Sequence, residues 1–226
     1  MGGCTNCSGK SGCNDRKGTM LGAVSDWLER LYPSKTWGEL DDELAMVSGV
    51  SPDDVMALAD EFAEELKGAV IYREGGEEDM CDYVYILCQG REPCALQMRY
   101  GDVKVPEEFG EDDRIHELYL RVSLSSIAPM AVVQQVNVTL SQVEGQWVIR
   151  EELAAGVYDA PLLKRFQRLV ALLPAYDLTH LDMGEISTPP PDFDHGNYRE
   201  NYGSDPHQAN YLFFRNPSTM IVTSVL

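Results

Sequence analysis

Basic residues are scarce in this chain. Its 226 residues carry 18 Lys and Arg against 37 Asp and Glu, a formal net charge of −19 and a pI near 4.4. Binding to a phosphate backbone needs clustered Lys and Arg, so nucleic acid and anionic membrane surfaces are excluded as main partners. The same acidity suits a protein partner with a basic surface. No apolar run approaches the roughly 18 residues of a membrane span, and no basic stretch leads into an apolar core as in a secretory signal. Gly2 invites N-myristoylation, but that motif wants Ser or Thr where Asn6 stands. A cytoplasmic protein is the expectation. Also missing are a Gly-x-Gly-x-x-Gly phosphate loop, a legible Ser-His-Asp arrangement and any repeat of 20–50 residues. An enzyme is therefore not indicated, and a redox or accessory subunit without catalysis of its own is expected.

What is present is globular composition, 44% hydrophobic with 24% charged residues. Residues 1–19 stand apart. Lys10, Arg16 and Lys17 against Asp15 give this arm +2 and leave −21 for the remainder. It has no apolar periodicity, and it holds Cys4, Cys7 and Cys13 in a C-x2-C-x5-C pattern. Two thiolates three positions apart can share one metal centre, with the intervening N–H groups turned toward the sulfurs. Gly9 and Gly12 permit the close backbone wrap, and Lys10 offsets thiolate charge. Three close cysteines suit an iron–sulfur cluster, of the 4Fe–4S kind, better than structural zinc, which favours two separated pairs. A fourth ligand is needed. Of Cys81, Cys88 and Cys94, Cys81 beside Glu77-Glu78-Asp79 is the strongest candidate; the other two fall among apolar residues, where cysteine is commonly an inert core side chain. Gly9-Lys10-Ser11 mimics the end of a Walker loop, but the required earlier glycine is Cys4 and no strand precedes it.

The rest reads as one acidic α+β domain over 20–226: a helical part (20–68), an antiparallel sheet (69–152), then a helix, a long loop and a C-terminal hairpin (159–226). Leu21, Val24, Trp27, Leu28 and Leu31 recur at helical spacing, and Trp37–Val47 suggests a second, shorter helix. Ser51-Pro52-Asp53-Asp54 opens a third, with Val55, Leu58, Ala59, Phe62 and Leu66 on one face. Five or six strands follow: Val70–Tyr72, Tyr83–Cys88, Cys94–Tyr100 as a hairpin partner of the preceding run, His116–Ser125, Val132–Leu140 and Gln146–Arg150. One face of this sheet would cover the helices, as in α+β folds. Asp159-Ala160-Pro161 starts a further helix, and Tyr211–Phe214 with Met220–Val225 would close the chain as two strands.

Residues 188–210 lack periodicity and carry Asp192, Asp194, His195, Asp205 and His207, ordinary loop residues at no recognised metal or acid–base spacing. The runs Asp41-Asp42-Glu43 and Glu107 to Asp113 read as solvated surface or as docking sites for a basic partner. Two functions follow. One is an iron–sulfur accessory or electron-transfer protein within a larger redox complex. The alternatives are a cofactor-free acidic adaptor for a basic protein and a structural zinc-binding protein.

Overall fold

The computed structural model describes residues 24–67, 69–75, 79–89, 95–100, 104–107, 109–110, 113–154, 157–214 and the backbone of 221–225. Cys4, Cys7, Gly9, Lys10, Gly12, Cys13 and Cys94 lie outside these residues.

Seven strands build one sheet: β1 (Val70–Arg73), β2 (Cys81–Gln89), β3 (Arg114–Ser125), β4 (Met130–Val143), β5 (Gln146–Leu153), β6 (Thr179–Leu181) and β7 (Ile221–Val225). Six of them form an antiparallel path in the order β1-β2-β3-β4-β5-β7. The short β6 pairs in parallel with the first residues of β4. The architecture is α+β, as the sequence indicates. Glu144 and Gly145 join β4 to β5 with φ of 52° and 80°. Two positive φ values mark a two-residue turn whose twist matches the strands, and Gly tolerates the second without strain.

Helices cover both faces of the sheet, not one. Residues 24–31 (α1), α4 (Ala95–Tyr100) and α8 (Gln208–Leu212) contribute to one core with Tyr83, Tyr85, Tyr119, Val136 and Leu140. Helices α3 (Pro52–Leu66) and α5 (Ala160–Leu172) build the other with Val84, Leu120, Val122 and Val133. The strands are correspondingly apolar on both sides, the pattern of a sheet buried twice. In α3 the Ser51 hydroxyl accepts from Asp54 N–H, and Val55, Leu58, Ala59, Phe62 and Leu66 are buried as their spacing requires. Each such aliphatic side chain taken from water is worth about 1.5–3 kcal/mol. The chain leaves α3 through Lys67 in the left-handed region (φ 50°).

Three segments depart from expectation. Cys94–Tyr100 is not a strand: Ala95–Tyr100 is helix α4, and the partner of β2 is β3. Ala, Leu, Gln, Met and Arg in this stretch are all strong helix formers, and that local preference prevails. Tyr211 and Leu212 end helix α8 rather than form a strand, and β7 pairs with β5 instead of with this segment among the described residues. There His207 N–H donates to Asn210 Oδ1 (2.7 Å), one arm of a capping box that starts the helix before the aromatic run. Between Trp37 and Val47 only α2 (Asp42–Ser48) is helical; Asp41 caps it, and Gly38 at φ 85° keeps the preceding residues in turns.

The remaining elements are short. A turn of tighter helix (Leu173–Tyr176) continues α5, α6 (Met183–Ile186) follows β6, and α7 (Tyr198–Tyr202) with the start of α8 divides the stretch 188–210 read as one long loop.

Candidate functional site

The strongest surface feature is the α2–α3 unit. Residues 41–66 carry Asp41, Asp42, Glu43, Asp53, Asp54, Asp60, Glu61, Glu64 and Glu65, and no Lys or Arg. Four of these have local roles. Asp41 Oδ1 accepts from Leu44 N–H, and Asp54 accepts from the Ser51 hydroxyl. Glu61 accepts from Tyr176 Oη–H at 2.5 Å, which holds that phenol above its usual pKa, and Glu65 lies 3.7 Å from Arg168. Among the described residues no cation pairs with Asp42, Glu43, Asp53, Asp60 or Glu64. Within this acidic field, Met46, Val47 and Met56 are 84%, 79% and 47% exposed. Exposed apolar side chains in an acidic stretch are candidate contacts for a partner where they form a patch.

The unit is rigidly tied to the body. Val50 N–H donates to Ser125 O (3.0 Å) at the rim where β3 turns toward β4. Gly49 passes so close that a Cβ there would lie 1.7 Å from Ser126 O. The Ser125 hydroxyl in turn donates to Leu212 O (2.6 Å), which links this rim to α8.

Beneath α4 lies a buried polar group of a different character. Glu117 is 4% exposed; it accepts from Ala95 N–H (2.7 Å) and from Tyr119 Oη–H (2.6 Å). Burial raises its pKa, against the opposing effect of these two donors. Glu151 is 2% exposed, accepts from Tyr85 Oη–H (3.3 Å) and forms an ion pair with Arg99. On the same face Arg121 is 7% exposed; its Nη2 donates to Gln134 Oε1 (2.7 Å), and its guanidinium lies 5.0 Å from the Tyr83 ring centre. These groups fasten α4 to the sheet, and the Arg121 guanidinium also lies 5.9 Å from the Phe214 ring centre.

Cys81, the expected fourth metal ligand, starts β2 at 2% exposure. Burial pushes its thiol pKa well up, while contact with Tyr83 opposes the shift. A thiolate is the ligating form of cysteine, and this surrounding favours the thiol. Cys88, further along β2, is part-buried, and burial likewise raises its pKa. Among the described residues no three His, Cys, Asp or Glu side chains converge as a metal site.

The 188–210 stretch is a packing element. Asp194 exchanges backbone bonds with Lys35 and Trp37 (both 2.8 Å), and its carboxylate accepts from Gly196 N–H. His195 Nδ1 sits 3.2 Å from Tyr211 Oη. Phe193, Tyr198 and Tyr202 join Tyr32, Trp37 and Tyr211 in a cluster of edge-on and tilted rings. Burial lifts the Tyr198 phenol to about 12. His116 lies on β3 with Nδ1 3.2 Å from Thr139 Oγ1, and His180 lines a cavity of about 210 Å3 with Phe166, Tyr158 and Asp182. Neither pattern was visible in the sequence, because both depend on pairing between distant strands and helices.

Comparison with protein-family models, curated proteins and solved structures returns no match. Among the described residues no helix is long and apolar enough to cross a membrane.

Proposed function

We propose that this chain is an accessory protein that docks a basic protein partner on its α2–α3 unit. One observation supports this reading: the stretch 41–66 carries nine carboxylates and no Lys or Arg, and the same stretch exposes Met46, Val47 and, in part, Met56. Carboxylates steer a basic partner into encounter, and the exposed Met and Val side chains supply the apolar contact that holds it. Methionine suits this role because its unbranched thioether adapts to a partner's contour. The pinned Gly49–Val50 connection keeps the two helices in a preformed arrangement, which lowers the ordering cost of association.

The probe is an amphipathic Lys/Leu helical peptide added to the isotope-labelled full chain. Amide shifts concentrated in residues 42–66, weakened by salt and lost in a Met46→Ser/Val47→Ser/Met56→Ser variant, support the reading. Shifts spread evenly over the acidic surface, unchanged in that variant, refute it. Surface charge pairs are screened over about 8–10 Å at ordinary ionic strength, so the salt effect is part of the test.

The spacing of Cys4, Cys7 and Cys13 supports a second element, an iron–sulfur cluster on the N-terminal arm wrapped by Gly9, Lys10 and Gly12. With it, the assembled complex is a redox one. Anaerobically purified protein should then be brown, contain iron and acid-labile sulfide, and lose both in a Cys7→Ser variant. Zinc at one equivalent without sulfide would make the arm a structural module, and no metal at all would leave the acidic adaptor alone.

A further inference from the structure

We propose that the cavity lined by Tyr32, Trp37, Gly38, Leu40, Met80 and Tyr202 binds a quaternary ammonium group. The cavity measures about 160 Å3, close to the ~150 Å3 space that takes up benzene in an engineered core. Three aromatic rings and a thioether line it, drawn from four separate stretches of chain. Aromatic faces attract a cation through the ring quadrupole, most strongly where the site is partly desolvated.

The rings are held in place from behind. Trp37 meets Tyr198 edge-on at 4.6 Å and Tyr211 at 4.8 Å, Tyr202 rests on Tyr198 at 4.6 Å, and Tyr32 meets Tyr211 at 5.0 Å. Tyr32 Oη–H donates to Tyr211 O (2.9 Å), which anchors that ring, and the Trp37 backbone N–H donates to Asp194 O (2.8 Å), which fixes the stretch of chain that carries the indole. Gly38 takes φ 85°, and a Cβ there would meet nothing within 4 Å, which leaves that side of the wall open.

The lining also selects the kind of cation. A primary ammonium needs three acceptors, and none of the described lining residues is a carboxylate. A quaternary ammonium has no N–H to satisfy and presents methyl groups to the rings and to Met80. Among the described residues no Lys, Arg or His lines the space to repel it. Lys35, two residues before Trp37, is paired with Glu29 at 2.7 Å. Glu39 and Asp41 flank Leu40 in the chain, and the whole protein is acidic, so the surrounding field favours a cation.

Two sources carry this group: a choline-type small molecule, or a trimethylated lysine on a protein. The full chain is titrated with tetramethylammonium, choline, a trimethyllysine peptide, its unmodified counterpart and the neutral tert-butyl analogue of choline. The readout is the Trp37 indole N–H signal. Saturable shifts with tetramethylammonium or choline, and at least tenfold weaker binding of the neutral analogue, support the site. Preference for choline names a small-molecule ligand, and preference for the trimethyllysine peptide over the unmodified one names a protein. Tyr202→Leu, read at the same indole signal, and Trp37→Leu, read by titration calorimetry, should each weaken binding about tenfold; Tyr202 is only part-buried, so its variant keeps the test available if the Trp37 variant fails to fold. Equal binding of the neutral analogue overturns the proposal, as does an unmoved indole signal. Neither result decides the docking face, because tetramethylammonium, choline and the neutral analogue are not peptides and the readout is Trp37, outside residues 42–66.

Discussion

Glu117 and Glu151 stand in one row of the sheet on opposite sides of Val138. In the strand register Glu117 pairs with Val138 from β3 and Glu151 pairs with Val138 from β5. Two strand spacings separate them, roughly 10 Å. Both carboxylates point into the face that α4 covers, and each holds one end of that six-residue helix: Glu117 through Ala95 N–H, Glu151 through Arg99. A helix this short is marginal without tertiary support. The two acids, with buried Ala95, Leu96 and Met98, therefore add the tertiary support that local helix preference alone lacks at this length.

Glu117 should make stability fall as pH rises. Burial raises its folded-state pKa, so the folded chain binds its proton more tightly than the unfolded chain does. By linkage, stability from this group is complete below the ordinary carboxylate value, and is lost as pH climbs through the raised folded value. Glu117→Gln keeps an acceptor for Ala95 and Tyr119 and removes the titration. Thermal midpoints compared across that window should show wild type losing ground to the Gln variant. Parallel curves would show that the carboxyl is not buried in solution. Glu117→Ala, by contrast, strands two buried donors and should cost about 1–3 kcal/mol each at any pH.

Arg99 and Glu151 should behave as a unit. Arg99→Met leaves Glu151 buried with Tyr85 but without its counter-ion, which costs about 3–5 kcal/mol. The double variant Arg99→Met/Glu151→Leu removes both charges and should recover most of that loss. Chemical denaturation of the two single variants and the double closes the cycle, and strictly additive losses would rule out the pairing.

Much of this fold was legible in the chain, and the exceptions have physical reasons. Helix α3 was visible because every local signal agreed: Ser51 as cap, Pro52 at the first turn, Asp53 and Asp54 at the dipole, and a 3.6-residue apolar stripe. Strands β3 and β4 were visible through their β-branched runs, and the Glu144-Gly145 turn through its composition. Helix α4 was misread because six residues are too few to show a period, and part of its support comes from Glu117 and Glu151, far off in sequence. Alternation along β3 likewise hid Glu117, Tyr119, Arg121, Ser123 and Ser125, a polar line buried under helices that arrive later in the chain. As for the candidate site, the acidity of 41–66 was legible, but the exposure of Met46, Val47 and Met56 was not, since apolar residues at helical spacing read as core.

Gly49→Ala should be severe despite an unexceptional backbone. The residue has φ of −71°, which any amino acid adopts, so no conformational strain is involved. The obstacle is Ser126 O, 1.7 Å from where the Cβ would be, with the Ser126 carbonyl carbon at 2.1 Å. Backbone cannot rotate away as a side chain can, and the Val50–Ser125 hydrogen bond lies next to the clash. The expected loss is at least the 1–3 kcal/mol typical of overpacking, with amide exchange faster across α2 and the start of α3. Unchanged protection there would show that the connection is not pinned.

His180 should contribute stability that disappears on acidification. Burial lowers its pKa, only partly countered by Asp182, so the folded chain disfavours the imidazolium that the unfolded chain accepts. Its Nε2 is buried without a hydrogen-bond partner, and its ring meets Phe166 edge-on at 5.5 Å. The stability is therefore present above the ordinary histidine value, near 6.5, and is lost as pH falls through the depressed folded value. His180→Phe keeps the ring contact with Phe166, removes the unsatisfied nitrogen and titrates nowhere. The difference between wild-type and variant midpoints should grow in the variant's favour below about pH 6.5. The other three histidines cancel in that difference, so a flat line would mean that His180 ionises as freely in the folded chain as in the unfolded one.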